Sequence, residues 1–175
     1  VATNLILEGK GARAALLTTT GFKYVLEIGR QDVPRSASLF AWVKPKRPVP
    51  PERIFEIGGR IGPDGRELQP LDEAAVRAAV RTIKSQDVSS IAVVLLHSYL
   101  SPVHEQRIKA IFREKLPGVP VSISYEVLPK WKEYERASTT IADAYLKPKV
   151  APQLTRMRGR LAAAGLPDRM VVIKS

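Results

Sequence analysis

The sequence predicts an α/β fold in which helices cover the faces of a sheet. Ser90-Ile91-Ala92-Val93-Val94-Leu95-Leu96 is continuously apolar and β-branched, as expected of a strand covered on both faces. It stands between two segments of helical period, one from Asp72 to Ile83 and one from Ser101 to Leu116. An apolar run from Ala14 to Thr18 and an alternating one from Arg53 to Ile57 supply further strands. Helices and buried strands in alternation make an α/β domain.

Residues 2–9 read as a short helix closed by Gly9 and Gly11. Ala14 to Thr18 follows as a buried strand. Residues 21–28 read as a helix with Phe22, Val25, Leu26 and Ile28 mostly on one side. Prolines at 34, 45, 48, 50 and 51 exclude regular structure from Gly29 to about Arg53. A loop of that length is functional, an interface arm or disordered. The strand at 53–57 leads to a turn at Gly62-Pro63-Asp64-Gly65, where Asp-Gly tolerates positive φ. Asp72 caps the next helix, whose apolar side is Val76, Ala79, Val80 and Ile83. Ser101 and Pro102 supply a capping residue and a first-turn proline for a helix that buries Ile108, Ile111, Phe112 and Leu116. Residues 120–125 read as the next strand.

After Leu128-Pro129 the character changes. Residues 132–147 are polar and helix-compatible, bounded by Pro148. Residues 149–164 form a second helical stretch, interrupted near Pro152 and ended by Gly165, and residues 171–173 open a strand. Two units follow, 1–128 and the beginning of a second at 129–175. The start at Val1 and the stop inside a strand make both ends read as cut.

A chain of 175 residues holds one domain, or one domain and part of another. Hydrophobic residues at 45% and charged residues at 26% fit a globular protein. No apolar run approaches the roughly 20 residues of a membrane span, and no signal segment opens the chain. Zero cysteines exclude disulfides and thiolate metal sites, and favour the cytoplasm. The net charge of +11 raises nucleic-acid binding as a reading. Its distribution speaks against it: Lys44, Lys46 and Arg47 lie among prolines, while Arg156, Arg158 and Arg160 alternate along a helix and share no single face. No aromatic motif for stacking bases accompanies them. The charge reads instead as the basic part of a larger assembly, facing an acidic surface.

The richest chemistry lies in Val127-Leu128-Pro129-Lys130-Trp131-Lys132-Glu133-Tyr134-Glu135-Arg136-Ala137-Ser138-Thr139-Thr140. Glu133 and Arg136 are three apart and could pair on a helix. Ser138, Thr139 and Thr140 bring three hydroxyls close to Glu135 and Arg136. Hydroxyls suit phosphate or carbonyl oxygens, an arginine clamps an oxyanion, and a carboxylate positions water. A helix start with a solvated charge pair is the plainer reading of these residues alone. His97 and His104 fall on different elements without a carboxylate at ligand spacing, so His97 reads as a strand-end histidine bonded to backbone. Gly9-Lys10-Gly11 lacks the longer spacing of a phosphate loop.

The stretch from Val127 to Thr140 resembles a segment of the hydantoinase A and 5-oxoprolinase family. Val1-Ala2-Thr3-Asn4, Gly11 to Thr19, Gly21-Phe22, Leu26 to Gln31, Pro70-Leu71-Asp72 and Leu95 to Tyr99 match that family's N-terminal region in order and spacing. The match spans essentially the whole chain. Ala137 departs from an expected Thr, and Asp143 stands where many members have Asn. The resemblance implies a section of an actin/sugar-kinase-like ATPase fold, with a mixed sheet and flanking helices. It implies ATP-dependent opening of a cyclic amide such as a hydantoin or 5-oxoproline, through phosphorylation of the carbonyl oxygen, with Mg²⁺. ATP-dependent carboxylation of a ketone is the rival within the family. Implied on the catalytic side are Glu135, Arg136, Ser138, Thr139 and Thr140, and on the substrate side Thr3, Asn4 and Asp143. The family's Asp-x-Gly-Gly-Thr phosphate hairpin does not occur in this sequence, so nucleotide and metal are expected to be held mainly elsewhere. A second large subunit of hydantoinase B type is the implied partner. In a third reading the chain is a non-catalytic module whose basic, proline-rich arm at 44–51 docks an acidic partner.

Overall fold

The computed structural model describes residues 2–30, 41–43, 47 and 49–165. In chain order its elements are α1 (Ala2–Leu7), β1 (Ala14–Thr19), α2 (Val25–Ile28), a 3₁₀ turn (Pro51–Arg53), β2 (Ile54–Ile57), β3 (Arg60–Ile61), β4 (Glu67–Gln69) and α3 (Glu73–Ser85). They continue with β5 (Ser90–Val94), α4 (Val103–Lys115), β6 (Val121–Ile123), α5 (Ser124–Val127) and α6 (Glu133–Ala163). The expected strand at 171–173 and much of the expected proline-rich loop lie outside the described residues.

The main sheet has the order β2-β1-β5-β6 and all its pairings are parallel, which puts the two most apolar strands at its centre. Alternation of side chains then builds two cores. Ala15, Leu17, Ile91 and Val93 face α3 and α4, packing with Val76, Ile83, Ile108 and Phe112. Ala14, Leu16, Ala92 and Val94 face the other way, onto Ala137, Ile141 and Ala144 of α6. Alanines on both sides of that second interface let the helix approach the sheet closely. The β3–β4 hairpin forms a separate antiparallel pair around the turn expected at 62–65.

Several boundaries differ from the sequence reading, each for a local reason. Asp72 caps α3 as expected, its Oδ1 accepting from Ala75 N–H at 2.9 Å. Helix α4 starts at Val103 with Pro102 as its flanking residue, and Ser101 makes no capping bond. The helix expected at 21–28 is limited to its last turn; Gly21 has φ +88° and its N–H is taken by Glu56 Oε1 at 2.7 Å. The strand expected at 120–125 ends at Ile123, because a buried carboxylate draws Ser124 and Tyr125 away from the ladder. The break expected near Pro148 and Pro152 is absent: α6 runs through both. Lys147, bonded to Ser122 and paired with Asp143, holds the helix up to the first proline. Beyond it the sequence is rich in Ala, Leu, Arg, Gln and Met, which favour helix strongly enough to continue it.

Candidate site at the carboxyl end of the sheet

In parallel sheets flanked by helices, ligands bind beyond the carboxyl ends of the strands. Here that end is organised around one residue, Leu95, which follows the last residue of β5. Its N–H donates to Glu105 Oε1 at 2.9 Å, and its carbonyl accepts from Arg136 Nη2 at 2.7 Å. The next N–H, of Leu96, donates to Thr19 Oγ1 of β1 at 3.0 Å. The carboxylate of Glu105 also accepts from Ser124 Oγ at 2.7 Å and from Tyr125 N–H at 3.0 Å. Glu105 is fully buried, and burial pushes its carboxyl up from the ordinary carboxylate range while the bonds from Ser124, Leu95 and Tyr125 pull the other way.

Arg136 is 1% exposed, the largest side chain buried so completely among the described residues. Burial lowers its pKa, opposed by the charges of Glu105 and Glu133. Its guanidinium lies 5.5 Å from the centre of the Tyr99 ring, a cation–π arrangement. Its Nε has no partner. With Thr18, Phe22, Leu26 and Glu133 it borders a cavity of about 20 Å³, enough for about one water molecule.

The other expected site residues are divided between α6, where they face different ways, and α1. Glu135 is half-buried and accepts from Arg30 Nε at 2.8 Å; its own backbone N–H and then Arg30 hold its carboxyl below the usual range. Thr139 is exposed and Thr140 buried, and each hydroxyl donates to the carbonyl four residues back, Glu135 and Arg136 respectively, at 2.7 Å. Ser138 is half-buried. Asp143 accepts from Ser122 Oγ and pairs with Lys147 at 2.8 Å. Thr3 and Asn4 are exposed on α1, which packs on α6. The bond expected between Glu133 and Arg136 is replaced by the one from Arg136 to the Leu95 carbonyl.

Sequence reasoning missed Glu105, although the signal was there. It stands three residues before Ile108 and seven before Phe112, on the stripe that α4 buries. His97 behaves as read, its Nδ1 lying 2.8 Å from the Ile61 carbonyl, while His104 Nε2 lies 2.6 Å from Glu67 Oε1. Both histidines of the chain thus hold the β3–β4 hairpin.

The described residues do not by themselves fit a nucleotide with its metal. A side chain at Gly11 would come within 2.0 Å of the Tyr145 ring, so this glycine serves helix packing rather than a phosphate. Among the described residues no three His, Asp or Glu side chains converge as a metal site would require. No helix among them is long and apolar enough to cross a membrane.

Comparison with known proteins agrees with this architecture. Residues 1–116 match the hydantoinase/oxoprolinase N-terminal region family. The chain is similar to the caprolactamase subunit alpha of Pseudomonas jessenii, at 38% identity over 90% of this chain and 23% of the relative. It is 32% identical to the acetophenone carboxylase gamma subunit of Aromatoleum aromaticum, over 99% of this chain and 25% of the relative. The crystal structure of the ATP-dependent caprolactamase from Pseudomonas jessenii superposes with a TM-score of 0.86 at 36% identity, covering 95% of this chain and 24% of that one. The chain therefore spans about a quarter of the length of these relatives. Its parallel sheet, its helical layers and its sequence place it in the hydantoinase/oxoprolinase N-terminal region family.

Proposed function

We propose that this chain works as a section of an ATP-dependent amidohydrolase that opens a cyclic amide of hydantoin, 5-oxoproline or lactam type. The observation that carries the reading is the 36% identity and TM-score of 0.86 to an ATP-dependent caprolactamase. ATP, with Mg²⁺, would supply activation of the amide carbonyl, held mainly by parts of the enzyme other than this chain, and the chain alone is inactive. The catalytic region of the sequence starts near residue 128, its first helix α6 packed on the sheet of the N-terminal unit. The zero cysteines of the chain suit a reducing cytoplasm. A second large subunit of hydantoinase B type completes the enzyme, a reading supported by relatives named as subunits alpha and gamma.

Within that enzyme the first turns of α6 form one wall of the substrate site. Glu135, Ser138 and Thr139 offer a carboxylate and hydroxyls at the open side of the helix, where they can orient water or a carbonyl. Arg136 contributes a fixed positive charge, and Thr140 is bonded inward. Thr3 and Asn4 of α1 and Asp143 of α6 act as supporting polar residues. In the full-length enzyme, Arg136→Ala is expected to reduce ADP release with a cyclic amide by about tenfold to a hundredfold. Unchanged rates with every cyclic amide tried would sink the site assignment. Ketone carboxylation is the second reading, supported by the similarity to acetophenone carboxylase. ATP turnover that needs bicarbonate and a ketone, and is absent with cyclic amides, would reverse the order.

A further inference from the structure

At the opposite, amino-terminal end of the sheet lies an open groove of about 750 Å³, whose lining includes Arg13, Arg47 and Arg53 together with Ile6 and Leu7. Arg13 leads into β1 and Arg53 into β2, so the parallel pairing of these strands brings the two cations together. Their charges repel: Arg53 is shifted down by burial and then by Arg13, only partly offset by Glu52. Among the described residues, no carboxylate forms an ion pair with Arg13 or Arg53. Arg47 is paired with Glu27, and Glu8, the acid that borders the groove, is paired with Lys10 at 2.7 Å. The apolar part of the lining is also uncovered, with Leu7 79% and Ile6 49% exposed. Val49, which is fully buried, anchors the arm that carries Arg47 against the second core.

We propose that this groove docks an acidic segment of the partner subunit, with carboxylates on Arg13 and Arg53 and an apolar side chain against Ile6 and Leu7. The proposal rests on the partner subunit put forward above and assigns the surface that receives it. Charge complementarity favours this occupant. Two guanidiniums gathered without an ion-paired carboxylate match paired carboxylates through bidentate bonds, and arginine is among the residues enriched at protein interfaces.

The test uses the full-length chain and its partner subunit, purified as the holoenzyme. Arg13→Glu with Arg53→Glu is expected to weaken subunit association by about tenfold to a hundredfold, more at low salt than at high. Arg13→Lys with Arg53→Lys is expected to retain most of it. A photo-crosslinking benzophenone amino acid at position 7 reports the occupant without disturbing the charges, and is expected to capture an acidic segment of the partner. Three results overturn the proposal: association unchanged by charge reversal, a crosslink to a neutral or basic segment or to the same polypeptide, or no crosslink. If citrate binds the wild type but not the reversed variant while association is unchanged, the groove is a small-anion site and the proposal fails. If no second subunit copurifies with the wild type, the partner reading itself fails along with it, which is a distinguishable result.

Discussion

At the scale of single residues, the carboxyl end of β5 depends on a buried acid and a buried base that meet on one peptide unit rather than on each other. Glu105 takes the N–H of Leu95 and Arg136 takes its carbonyl. Each side chain gives up hydration to do so, and each is left with a large penalty if its backbone partner is lost. Glu105→Gln tests this. The amide can replace Oε1 as acceptor for Leu95 and Ser124, but its NH₂ then confronts the N–H of Tyr125, donor against donor. Thermal or urea unfolding of the variant chain is expected to show a loss of about 1–3 kcal/mol. A variant as stable as the wild type would refute the account of Glu105 as the fastener of this end. Only part of this arrangement could be read from the sequence. The segment holding Arg136 stood out by its concentration of polar groups, whereas the direction of the guanidinium, inward to a backbone carbonyl, is set by tertiary contacts that no spacing rule encodes.

At the scale of elements, the strands of the main sheet and the helices α3 and α4 followed from hydrophobic pattern, because the core that they build is selected by it, whereas the short β3 and β4 did not. The length of α6 did not. Local rules weigh each proline as a break, while the burial of Ala137, Ile141 and Ala144 fixes the first turns and strong helix formers carry the rest. The same helix reaches back to the loop before β1, where the Tyr145 carbonyl accepts from Ala12 N–H at 2.7 Å and its ring lies over Gly11. Gly11 is required there by space, since its Cβ would stand 2.0 Å from that ring. Gly11→Ala is therefore expected to cost about 1–3 kcal/mol through overpacking. In a Tyr145→Ala background the same change should cost far less, giving a favourable coupling in a double-mutant cycle. Equal costs in both backgrounds would show that the loop and the helix are independent.

At the scale of the whole molecule, the net charge of +11 makes acid a stress on the fold, because each carboxylate that takes up a proton adds to the self-repulsion. Glu73 is one carboxylate through which this can be followed. It bridges α3 to α4 through Arg107 at 2.5 Å and pairs within α3 with Arg77 at 2.7 Å, and the two guanidiniums hold its carboxyl at about 2. A carboxyl whose folded pKa is depressed contributes stability above its unfolded value, near 4.3, and loses it as the pH falls toward the folded one. Glu105 acts in the opposite sense: its raised pKa means that protonation relieves the cost of burying its charge, so its contribution grows more favourable as the pH falls. The expected outcome is that Glu73→Gln is less stable than the wild type at neutral pH, and that the gap closes between about pH 4.3 and pH 2. Melting curves of both chains from pH 7 to pH 2 measure this directly. A gap that stays constant across that range would mean that the ion pairs of Glu73 contribute no pH-linked stability, and that acid unfolding begins at other carboxylates.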